Sequence, residues 1–67
     1  MSQPPTDWTP RQRQIMRLLM RGARTKEAAA QLGVSEHTVR THLDRAMARH
    51  KARSRAQLVS RFAEVNR

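Results

Sequence analysis

His37, Arg40, Thr41, Asp44 and Arg45 stand at offsets of zero, three, four, seven and eight along the chain. On an α-helix that spacing is one arc. The side chains on it are hydrogen-bond donors and acceptors, including two guanidinium forks and a carboxylate. An arc of this kind suits recognition rather than bond making. A guanidinium fork matches a phosphate or the edge of guanine, and a carboxylate accepts from the N4 amine of cytosine. Each residue also has a plainer reading. Arg40 either reads a base edge or only holds a phosphate. Asp44 either accepts from a base or pairs along the helix surface with Arg40 or Arg45. His37 either reaches a base or phosphate or is an ordinary residue of the first turn. Ser35 and Thr38 fall at the N-terminal end of the arc, where free backbone N–H groups and the helix dipole favour an anion. Lys26 is placed similarly on the preceding segment, and Arg49 extends the basic side.

Other chemistries find little support. The three histidines, His37, His42 and His50, are five and eight residues apart, and the chain has no cysteine. None of these pairs has the one-turn spacing of helical metal ligands, so no metal and no cofactor are expected. No Ser–His–acid grouping is suggested by spacing, which argues against an enzyme. Nor does any feature point to a small-molecule ligand. Met16, Met20 and Met47 read as core filler.

Charge points to the partner. The chain has 67 residues and a formal net charge of +9, from fourteen Lys and Arg against five acids. Twelve of the bases are Arg, and residues 40–67 hold eight bases and two acids. That balance favours a polyanion. A chain this short forms one domain with a small core, and such cores often gain stability from a partner subunit. No apolar run approaches the roughly 20 residues of a membrane span, and the first residues lack the apolar core of a signal peptide. A cytoplasmic protein is expected.

The elements that position the arc are legible as helices. Residues 1–8 are polar and Pro-rich and read as a disordered lead, with Trp8 alone folding back as a lid; the domain is expected over 9–65. Thr9-Pro10-Arg11-Gln12 carries an N-cap, a first-turn proline and a capping-box glutamine. The first helix runs to about Arg21, with Ile15, Leu18 and Leu19 inward, Met16 at the edge, and Gly22 as its stop. Thr25 is expected to cap the second, which ends near Leu32 with Ala28, Ala29 and Leu32 inward. Ser35 caps the third, to about His50, with Val39, Leu43, Ala46, Met47 and His50 facing the core. Ser54-Arg55-Ala56-Gln57 opens a fourth, to about Glu64.

The second and third helices form a recognisable unit. Ala29 lets another helix cross closely. Gly33 can take the positive φ of a tight turn. Val39 sits where the helices meet. This is the spacing of a helix-turn-helix, whose second helix is shaped for the DNA major groove.

Three segments, in order, resemble LuxR-type, GerE-like DNA-binding domains. They are Thr9 to Leu19, then Lys26-Glu27-Ala28-Ala29 through Gly33-Val34-Ser35-Glu36-His37-Thr38-Val39-Arg40-Thr41-His42-Leu43, then Arg53-Ser54-Arg55-Ala56-Gln57-Leu58-Val59. The resemblance covers about residues 8–63. It implies an all-α, four-helix domain that binds double-stranded DNA as a transcription regulator, with the third helix, about 36–50, in the major groove. It also implies a homodimer paired through the fourth helix, at Leu58, Val59, Phe62 and Ala63. Of these, Leu58 and Phe62 form one stripe and Val59 and Ala63 another; the smaller pair suits the partner better.

The chain departs from the family pattern in two places. Gln12 and Gln14 stand where acids are usual, which leaves the first helix more basic. His50-Lys51-Ala52 replaces Leu-Gly-Val, so the third helix is expected to run on or bend differently into the fourth. With nothing before residue 8 resembling a second domain, the resemblance is to small standalone members. A second reading is an interaction protein that binds RNA polymerase or a longer LuxR-type regulator and modulates it.

Overall fold

The computed structural model describes residues 8–65. The chain folds into α1 (Pro10–Met20), α2 (Thr25–Leu32), α3 (Glu36–His50) and α4 (Arg55–Val65). The described residues contain no strand. α1 and α3 each pack against the other three helices, while α2 and α4 do not meet.

Caps fix most of the helix ends. The Gln12 N–H donates to Thr9 Oγ1 and the Thr9 N–H donates to Gln12 Oε1, both at 3.1 Å, closing the expected box at α1. At α2 the cap lies one residue earlier than Thr25. Arg24 is the N-cap, and its N–H donates to Glu27 Oε1 at 2.7 Å. Thr25 is instead the first helical residue and is buried. At α4, the Gln57 N–H donates to Ser54 Oγ, but Gln57 Oε1 reaches back to the N–H of Arg53, at 2.6 Å.

The core joins Ile15 and Met16 of α1, Ala29 of α2, Val39, Leu43 and Ala46 of α3, and Leu58 and Phe62 of α4. Two placements on α1 differ from expectation. Met16 is fully buried rather than at the edge, and Leu18 and Leu19 are only half-buried. The helix is thus rotated so that its 15–16 edge points inward. Met20 is no core filler either; it is 48% exposed.

Trp8 closes the core from the chain's start. It is buried, stacked on His50 with ring centroids 3.9 Å apart, and set edge-on to Phe62 at 5.0 Å. The domain therefore begins at Trp8 or before it, not at residue 9. The remainder of the expected lead, residues 1–7, lies outside the described residues.

α3 does not run on past His50. Lys51 adopts φ 54°, the left-handed region, and ends the helix where glycine would be the easier choice. The Ala52 N–H then donates to the Met47 carbonyl at 3.0 Å. A lysine at this stop costs more than a glycine would.

On α4, Leu58 and Phe62 are spent on the protomer's own core, at 0% and 1% exposure. This removes them from any partner surface. Val59 and Ala63 are half-buried and lie on the neighbouring stripe.

Candidate nucleic-acid interface

The arc on α3 is set by its corner with α2. Gly33 ends α2 at φ 71°, and the Val34 N–H donates to the Ala29 carbonyl at 3.0 Å. Ser35 then starts α3: its Oγ accepts from the Thr38 N–H at 3.0 Å. The Ser35 and Thr38 hydroxyls are also hydrogen-bonded to each other at 3.0 Å. Ala29, 3% exposed, lets α3 approach, and Val39, fully buried, fills the contact.

With Val39, Leu43 and Ala46 turned inward, the opposite face of α3 is fixed outward. His37, Arg40, Asp44 and Arg45 are exposed, and Thr41 is half-buried between them and the core side. Lys26, Ser35 and Arg49 are exposed, and Thr38 is half-buried. Sequence-predicted residues of the arc thus share one surface, flanked by the N-terminal end of α3.

One partner was not anticipated. Arg40 pairs with Glu36, one turn before it, at 3.3 Å, rather than with Asp44. Both acids are four residues from Arg40. The acid N-terminal to the base is the better orientation on a helix, so the signal was present in the sequence. Asp44 is in no ion pair among the described residues. The Glu36–Arg40 pair is solvent-exposed, so it holds Arg40 weakly and yields readily to a stronger anion.

At the first turn of α3, Ser35 satisfies the Thr38 N–H. The Glu36 and His37 N–H groups lie in the same first turn, where N–H groups have no acceptor within the helix and the helix dipole favours an anion. Among the described residues, no three His, Asp or Glu side chains gather in a way that could hold a metal ion. No helix of these residues is long and apolar enough to cross a membrane.

Four helices around this corner, with a polar and basic outward face on α3, define a helix-turn-helix protein of the kind that meets nucleic acid. Comparison with known sequences makes the class specific. Residues 7–62 match the family described as bacterial regulatory proteins, luxR family. The chain is also 41% identical over 51 residues to the spore germination protein GerE of Bacillus subtilis (strain 168), spanning 76% of this chain and 69% of that protein. No solved structure gives a significant match. The chain belongs to the LuxR family and is a DNA-binding transcription regulator with a GerE-like helix-turn-helix domain.

Proposed function

We propose that this protein binds double-stranded DNA as a homodimer, with α3 of each protomer in the major groove. His37, Arg40, Thr41, Asp44 and Arg45 face base edges. Lys26, Ser35, Thr38 and Arg49 hold phosphates on either side. The observation that carries this reading is the outward arc of α3, held by the Gly33–Ser35 corner, with no ion pair to another element among the described residues.

The dimer contact is Val59 and Ala63 of α4, packed against the same residues of a second copy about a two-fold axis. Both are small, so two helices approach closely, and both are left half-buried by the protomer's own core. The contact is slight. It is completed on DNA, where two half-sites about one helical turn apart, or a multiple of that, supply the effective concentration. Such a regulator works in the cytoplasm, where its DNA is.

The test compares one half-site with two. Val59→Glu leaves helical content and single-site affinity intact and abolishes cooperative binding to paired sites. Unchanged cooperativity would remove α4 from the dimer. For the parent, affinity should fall roughly 10³–10⁵-fold between 50 and 200 mM salt, as for a dimer touching about 6–10 phosphates. A flat salt response would remove DNA as the partner.

A further inference from the structure

Gln14, Arg17, Leu18 and Arg21 stand at offsets of zero, three, four and seven, one stripe along α1 and its C-cap. With Gln31 and Leu32 of α2 they line a hollow of about 240 Å³. Leu18, Arg21 and Gln31 also line a second hollow of about 380 Å³, which extends the first toward Gly22 and Ala23. The two make one trough along the α1–α2 seam. No residue of α3 or α4 lines it, so it is separate from the arc on α3 and from Val59 and Ala63.

The lining combines two features. Leu18 and Leu32 are half-buried and give it an apolar part. Arg17 and Arg21, one turn apart, are exposed, and among the described residues neither is in an ion pair. α1 carries no acid to balance them. Glu27, the acid in the lining, already accepts from the Arg24 N–H.

We propose that this trough docks an acidic amphipathic helix of a partner protein. An apolar side chain of that helix sits against Leu18 and Leu32. Two carboxylates one turn apart on its flank meet Arg17 and Arg21, matching their spacing. The leucines favour a peptide over a nucleic acid, whose phosphates would satisfy the arginines and leave the apolar lining unmatched. Because the trough shares no residue with the proposed DNA contacts, neither those on α3 nor Lys26 of α2, partner and DNA bind together.

The test is a titration of the full chain, followed by nitrogen-15 amide spectra. The probe is a designed helical peptide of about 16 residues, long enough to hold some helix alone, with leucine on one face and glutamate on its flanks. The expected result is saturable shifts at the Leu18, Ala23, Gln31 and Leu32 amides that persist when duplex DNA is present. Charge reversal at the two exposed arginines, Arg17→Glu with Arg21→Glu, weakens the peptide by about tenfold or more and leaves the rest of the spectrum folded. A version of the peptide with lysine for glutamate does not bind. Shifts confined to α3, no saturable shift, or the same shifts at equal affinity from a single-stranded oligonucleotide would each overturn the proposal. The last outcome would make the trough a general polyanion surface. A domain that fails to bind duplex but binds the peptide leaves this inference standing and removes the DNA reading alone.

Discussion

The α2–α3 corner and the α3–α4 corner use the same backbone device and secure it differently. At the first, Gly33 takes φ 71°, donates to the Ala30 carbonyl, and is followed by Val34 bonding back to Ala29. At the second, Lys51 takes φ 54°, donates to the Ala48 carbonyl, and is followed by Ala52 bonding back to Met47. The bond pattern is the same. Glycine adopts this conformation freely, while for lysine it costs about 1–2 kcal/mol. The packing beside this second corner comes from a residue distant in sequence: Trp8 stacks on His50, the residue before Lys51, and meets Phe62 on α4. The corner that aims α3 is thus written locally, and the corner that aims α4 is flanked by packing from the segment before α1.

The largest effect should come from removing that distant support. Trp8→Ala deletes a buried ring, at about 3–5 kcal/mol, a large part of the stability a domain of this size holds. Urea denaturation followed by circular dichroism measures it. A loss below about 1 kcal/mol would mean that the α3–α4 corner stands without Trp8.

Gly33→Ala is the next in size. No atom lies within 4 Å of the added Cβ, so the cost is that of the backbone alone, about 1–2 kcal/mol. In a domain of this length each 1 kcal/mol moves Tm by about 4–8 °C. Lys51→Gly is the mirror experiment and should stabilise, by about 1 kcal/mol, with thermal melting as the measure. If both substitutions destabilise equally, the two corners are not the same device.

The contrast also explains what the sequence reveals and what it hides. Local signals were legible: Thr9 with Gln12, Gly33, Ser35, and Ser54 with Gln57 mark helix ends by short-range hydrogen bonds. Signals that depend on packing were not. Thr25 has the better capping side chain, yet the core buries it and Arg24 takes the cap, helped by Glu27. Ile15, Met16, Leu18 and Leu19 span a wide arc, and only the neighbours of α1 decide that Met16 goes in and Leu18 stays half out. Leu58 and Val59 are adjacent and equally apolar; the rotation of α4 under Trp8 and α3 sends Leu58 to the core. For the outward arc of α3, helical periodicity marks its members, and the Arg40–Glu36 pair adds a neighbour on the same face.

The central claim is that the α2–α3 corner presents α3 to base edges through Arg40. The most direct test measures the affinity of the parent, Arg40→Ala and Lys26→Ala for a selected operator and for random duplex at one salt concentration. Arg40→Ala should lose about 1–3 kcal/mol on the operator, with preference relaxed at one base position, and far less on random DNA. Lys26→Ala should weaken both duplexes alike. Equal losses from Arg40→Ala on operator and random DNA would make Arg40 a phosphate contact and contradict the account.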